Sequence, residues 1–171
     1  VAGWGKLRGE LLNKVMARSG SSPPMSRRLA RGSRKSLRMN LLRRLFSGRP
    51  GGPRAPAGWR GYAIGDVHGR LDLLRLLVHG ITEDAAARGP ANNLLVFLGD
   101  LIDRGPQSAR VLEFVRTLRL PDFRIAALAG NHEEALLRIL NGDDDLVQTW
   151  LRVGGAECLK SYGVDPEQIR S

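Results

Sequence analysis

Three short stretches of this 171-residue chain gather the side chains that can hold cations and handle phosphate: Gly65-Asp66-Val67-His68-Gly69, Gly99-Asp100-Leu101-Ile102-Asp103-Arg104-Gly105 and Gly130-Asn131-His132-Glu133. A pair of divalent cations about 3.5 to 4 Å apart needs a carboxylate between them, with hard oxygens and imidazole nitrogens completing each shell. Asp66 and His68 can hold one metal from a single turn, Asp100 can bridge, and Asn131 offers a neutral amide oxygen to the second metal. Arg104 presents a guanidinium fork suited to phosphate oxygens, and Asp103 precedes it. His132, next to the amide ligand, is placed to protonate a leaving alkoxide. Any one of these aspartates alone is as readily a helix cap. Their joint appearance in three motifs argues for a site instead.

The elements that must position these residues follow from the apolar pattern. Each motif begins where an apolar run stops. Tyr62-Ala63-Ile64 reads as a brief buried strand, Leu94 to Leu98 as a second and Phe123 to Ala129 as a third. Between them, Leu71 to about Arg88 carries Leu74, Leu77, Val78 and Ile81 at helical spacing, and Pro106 can open a helix bearing Val111, Leu112, Val115 and Leu118. Glu133 to Leu140 is predicted helical, Asn141 to Asp145 a loop, and Val147 to Tyr162 two more short helices around Gly154-Gly155. Strand and helix in alternation predict an α/β fold, with parallel strands joined by right-handed crossover helices. Ligands of such open sheets gather beyond the carboxyl ends of the strands, where Asp66, Asp100 and Asn131 stand.

These motifs, in this order, resemble the calcineurin-like metallophosphoesterase superfamily over about residues 59 to 162, and within it the bacterial phosphoprotein (Ser/Thr) phosphatase branch. Glu133 after Asn131-His132, and Arg104 after Asp103, resemble protein phosphatases more than the cyclic-nucleotide or nuclease branches. His68 is read as disfavouring the dinucleoside tetraphosphatases, for which glutamine is the residue expected there. The resemblance implies a partial metallophosphoesterase sandwich fold. It makes Asp66 and His68 ligands of a first metal, Asp100 the bridge, Asn131 a ligand of the second, His132 a general acid oriented by Asp103, and Arg104 a phosphate clamp. The cofactors it implies are two divalent or trivalent ions, manganese first, with iron or zinc as alternatives. The reaction it implies is hydrolysis of a phosphoprotein or small phosphoester by a metal-bound hydroxide. A dinucleoside polyphosphate or other nucleotide is the alternative substrate. A complete family site also calls for two further histidines at the second metal, whereas the chain has three in all: His68, His79 and His132. The expectation is first-site-dominated metal binding, with little turnover, by an apparently C-terminally truncated domain whose sheet keeps an unpaired edge.

Charge divides the chain in two. Residues 1 to 58 hold 14 of the 27 Lys and Arg against a single acid, Glu10, while residues 59 to 171 hold 13 against 16 acids. The formal charge of +10 therefore belongs to an N-terminal extension rich in Arg, Gly, Ser and Pro, which is predicted disordered apart from short amphipathic pieces at Leu7 to Ala17 and Leu37 to Phe46. Such a segment is a solvated tail, an organelle transit peptide, or an arm for nucleic acid or anionic membrane. Because the chain begins with Val, Met39 is a further candidate start. A non-catalytic scaffold with an RNA- or membrane-binding tail is the alternative to an enzyme. One cysteine, Cys158, excludes an internal disulfide and a CxxC site, which points to a reducing, cytoplasmic setting. Cys158 is read as inert, His79 as a surface or core residue, and the Asp143 to Asp145 run as a solvated turn.

Overall fold

The structure, a computed structural model, describes Gly9 and residues 55–170. The expectations for the basic tail, including its two amphipathic pieces and the start at Met39, lie outside those residues. β1 (Trp59–Ile64), β2 (Asn92–Phe97) and β3 (Phe123–Ala127) form a three-stranded parallel sheet in the order β1-β2-β3. α1 (Leu71–Ala87) and α2 (Ser108–Thr117) are the crossovers, and they touch each other. Right-handed crossovers running in one direction place both helices on one face of the sheet.

Strand alternation shows which face is covered. Tyr62, Ile64, Leu95 and Phe97 are buried, each side chain of this size contributing about 1.5 to 3 kcal/mol by leaving water. They meet Leu74, Val78 and Ile81 of α1 and Val111 of α2 in one core. The opposite face carries Gly61 and Ala63 of β1, Leu94 and Val96 of β2 and Ala126 of β3, all exposed or half-buried, with Leu98 and Leu128 about half exposed just beyond the strands. Parallel sheets are ordinarily covered on both faces. Among the described residues nothing covers this one.

α3 (Asn131–Leu140) follows β3, and after a 3-10 turn (Asp144–Leu146) the chain forms α4 (Val147–Trp150), a π turn (Leu151–Gly155), α5 (Ala156–Ser161) and α6 (Glu167–Arg170). The predicted elements are present with shifted ends. Pro106 does not open α2. Gly105 lies against Gly69, and Gln107 N–H donates to the Gly69 carbonyl at 3.1 Å, so this segment is tied to the first motif and the helix starts at Ser108. α3 begins two residues before the predicted Glu133, because that carboxylate accepts the Gly130 N–H at 2.8 Å and closes the first turn. β3 ends at Ala127, two residues short of the predicted Ala129.

Candidate active site

The three motifs converge at the carboxyl ends of the strands. Val67 and His68 N–H both donate to the Asp100 carbonyl, at 3.0 and 2.9 Å, which ties the first turn to the second. His132 N–H donates to Asp100 Oδ1 at 3.1 Å, which ties the third to the second. His68, Asp100, Asp103 and Arg104 all have positive φ, at 44°, 50°, 69° and 61°. For side chains other than glycine that conformation costs about 1 to 2 kcal/mol each, and it persists only where surrounding contacts hold it. Gly130 allows a close approach, since a Cβ there would stand 2.2 Å from Asp100 Oδ1.

Glu133 supplies much of the hold. Its Oε2 accepts the N–H groups of Asp100 and Gly130 at 2.8 Å each, and its Oε1 those of Leu101 and Ile102 at 2.8 and 3.1 Å. One carboxylate thus takes four backbone donors and fixes the loop after β2 to the start of α3. Its place three residues past Gly130 carried the signal for this capping role.

Asp66, His68 and Asp100 each offer one donor atom within 4.8 Å of the others. His68 Nδ1–H donates to the Ile102 carbonyl at 2.9 Å, which leaves Nε2 as the acceptor nitrogen; it lies 3.6 Å from Asp66 Oδ2 and accepts an N–H of Arg104 at 2.9 Å, a contact a bound cation would replace. Two carboxylate oxygens and one imidazole nitrogen, with the ring oriented through its other nitrogen, suit a first-row divalent cation. The donor set therefore fits the first of the expected ions. For the second ion the expected residues among those described are Asp100 and Asn131. Asn131 opens α3 and is exposed, while His79 lies on the exposed side of α1, 3.5 Å from Glu83.

His132 is buried and engaged. Its Nδ1–H donates to Asp103 Oδ2 at 2.7 Å, which leaves Nε2 on the Arg104 side, and the ring stands edge-on to His68 with centroids 4.9 Å apart. Arg104 spans the two rings, its Nη1 2.9 Å from His68 Nε2 and its Nη2 3.3 Å from His132 Nε2. All seven residues singled out from sequence thus sit on the three convergent turns. Asp66, His68, Asp100, Asp103, Arg104 and His132 are joined by direct contacts.

Asp103 has no exposed surface. Burial pushes its carboxyl above the usual range, against the lowering effect of hydrogen bonds from His132 and Trp150, the charge of His132 and the Cys158 thiol. Trp150 Nε1–H donates to the same Oδ2 at 2.8 Å, and Ser108 Oγ accepts the Asp103 N–H at 3.0 Å. Cys158 is itself pushed up by burial and by the neighbouring Asp103 charge, so it remains a protonated, unreactive thiol. Sequence reasoning missed Trp150. Its separation of 47 residues from Asp103 left only the general rule that a buried indole seeks an acceptor.

Known proteins place this arrangement. The sequence matches the family described as calcineurin-like phosphoesterase over residues 61–166. It is 35% identical over 128 residues to a symmetrical bis(5'-nucleosyl)-tetraphosphatase of Methylococcus capsulatus, covering 61% of this chain and 43% of that protein. It is 42% identical over 81 residues to a protein of the same name from Thioalkalivibrio sulfidiphilus, covering 47% of this chain and 27% of that protein. It is also 36% identical over 95 residues to serine/threonine-protein phosphatase 2 of Escherichia coli, covering 55% and 38%. The chain thus spans less than half the length of these relatives. The inference from His68 against the tetraphosphatases finds no support, since proteins of that name are 35% and 42% identical to this chain over 128 and 81 residues. A parallel sheet whose three strand ends deliver a carboxylate–imidazole cation set beside an arginine and a carboxylate-held histidine agrees with the family match over most of the described residues, and the chain belongs to the calcineurin-like phosphoesterase family.

Proposed function

We propose that the chain supplies the first-metal half of a two-metal phosphoester hydrolase acting on a dinucleoside polyphosphate. The reading rests on one observation: Asp66, His68 and Asp100 bring two carboxylate oxygens and an imidazole nitrogen within 4.8 Å of one another in the same turns that carry Arg104 and the His132–Asp103 pair. Asp66 and His68 would hold the first ion, with Asp100 shared and Asn131 turned to the second; manganese suits this donor set, as do iron and zinc. When bound, such ions supply Lewis-acid charge at the phosphoryl group and activate water.

The remaining residues have separable tasks. Arg104 grips the phosphoryl oxygens through its fork. Asp103 holds the His132 ring by Nδ1, with Nε2 on the Arg104 side, so that His132 delivers a proton from Nε2 to the departing oxygen. For a polyphosphate that oxygen belongs to a phosphate, and for a phosphoprotein to a serine or threonine. The nucleotide substrate is supported by the tetraphosphatase relatives. A second reading, phosphoprotein hydrolysis, is supported by the Escherichia coli phosphatase and by the resemblance carried by Arg104 and Glu133.

The test is the chain incubated with Mn²⁺ and diadenosine tetraphosphate, a phosphoserine peptide or p-nitrophenyl phosphate, with product release followed by chromatography. The expected result is slow cleavage that favours the tetraphosphate, yields ADP and vanishes in Asp100→Asn. Faster phosphate release from the peptide would select the second reading. No metal-dependent cleavage of any of the three would contradict both.

A further inference from the structure

Trp150 is remote in sequence from the three motifs and belongs to none of them, yet its indole reaches the innermost group of the site. Its N–H donates to Asp103 Oδ2 at 2.8 Å, the same oxygen that accepts His132 Nδ1–H at 2.7 Å. The other oxygen, Oδ1, is buried without a hydrogen-bond partner. Both donors therefore converge on one atom. A single donor would leave the carboxyl plane free to pivot about that bond. A second, arriving from a ring wedged in the core, sets the plane and with it the direction in which the imidazole is held.

The ring is itself immobilised. Trp150 is 2% exposed, and Gly155 lies directly against it, since a Cβ at that position would stand 2.3 Å from ring atom Cδ2. The intervening residue grips the site a second time. Gly154, at φ 121°, accepts the Arg104 N–H at 3.0 Å, and a Cβ there would stand 2.5 Å from the Arg104 nitrogen. Trp150 thus touches the histidine-holding carboxylate through its side chain, and Gly154, four residues on, touches the arginine through its backbone.

We propose that Trp150 is a positioning residue, its indole N–H fixing Asp103 Oδ2 so that His132 keeps Nε2 on the Arg104 side, with Gly155 packed against the indole and Gly154 against Arg104. The proposal deepens the phosphoester-hydrolase reading and rests on it for its catalytic consequence.

The test is nuclear magnetic resonance of the whole chain, with Trp150→Phe and Asp103→Asn as variants. Among three tryptophans, the Trp150 Nε1–H signal is identified by its loss in Trp150→Phe, and it is expected downfield, slow to exchange and shifted by Asp103→Asn. The His132 Nδ1–H signal, seen at low temperature, is expected to move upfield and exchange faster in Trp150→Phe, while Mn²⁺ affinity stays within about twofold, the set of Asp66, His68 and Asp100 being untouched. A benzothienylalanine introduced at position 150 keeps the ring volume and deletes only the donor, so the test stands if the phenylalanine variant does not fold. An indole signal indifferent to Asp103→Asn, or a His132 signal unchanged when the donor is deleted, would overturn the proposal. In the cleavage assay, kcat is expected to fall at least about tenfold with KM within twofold, which is part of what a general acid contributes. Absence of any cleavage by the unsubstituted chain counts against the hydrolase reading and leaves the resonance result to decide the role of Trp150.

Discussion

Replacing Glu133 with glutamine preserves shape and volume but changes what four backbone donors meet. In the present arrangement Oε2 takes Asp100 and Gly130 N–H, and Oε1 takes Leu101 and Ile102 N–H, at distances of 2.8 to 3.1 Å. A glutamine can present its oxygen to only one of these pairs. The other pair then faces an amide NH₂, donor against donor, and an unsatisfied donor costs about 1 to 3 kcal/mol. Two such groups, together with the lost charge on the remaining pair, give an expected destabilisation of about 3 to 5 kcal/mol once non-additivity is allowed for. For a domain of this size that corresponds to a fall in Tm of more than about 10 °C. The loss should also relax Asp100 from its φ of 50°, and so weaken Mn²⁺ binding by the Asp66, His68 and Asp100 set. Urea unfolding followed by circular dichroism, with the m-value held constant, measures the first effect, and calorimetric Mn²⁺ titration the second. A loss below about 1 kcal/mol, in the range of an ordinary surface substitution, would refute the assignment of Glu133 as the tie between the second and third motifs.

Gly154→Ala should destabilise by at least about 2 kcal/mol in the same unfolding assay, because it combines a φ of 121° with a Cβ 2.5 Å from the Arg104 nitrogen. The pH dependence of stability should carry a component from Asp103. Its folded-state pKa is raised, so the native state holds the proton more tightly than the unfolded chain, and stability falls as pH rises from the ordinary carboxylate value, about 3.9, through the raised one. Tm measured against pH should show this component in the unsubstituted chain and not in Asp103→Asn. The uncovered sheet face, with Val96, Leu98 and Leu128, should drive self-association. In sedimentation velocity, Leu98→Glu with Leu128→Glu is expected to shift the chain toward monomer.

Much of the fold was legible because the physics is local. Strand-length apolar runs, helical spacing in α1 and α2, and glycines before each polar motif gave an alternating α/β order, and the motifs then fell at the strand ends. Asp66, His68 and Asp100 could be grouped because parallel topology alone puts their turns side by side. What escaped was long-range. Trp150 reaches Asp103 across 47 residues, and its neighbour Gly154 reaches Arg104 only because the chain folds back after α3. No periodicity encodes such a contact. The ends of elements escaped for the same reason: the tie of Gln107 to Gly69 delays α2 to Ser108, and the Glu133 cap advances α3 to Asn131. Substrate choice was least legible of all, since the motifs that identify the family are those that handle any phosphate.

The central claim is that Asp66, His68 and Asp100 bind a divalent cation in this chain. Electron paramagnetic resonance of Mn²⁺ titrated against the chain counts bound ions directly, without requiring turnover. The account predicts one ion per chain in the tighter phase, with affinity lowered at least about tenfold in both Asp100→Asn and His68→Asn, because each removes one of three protein ligands. No bound Mn²⁺, or binding indifferent to both substitutions, would contradict it.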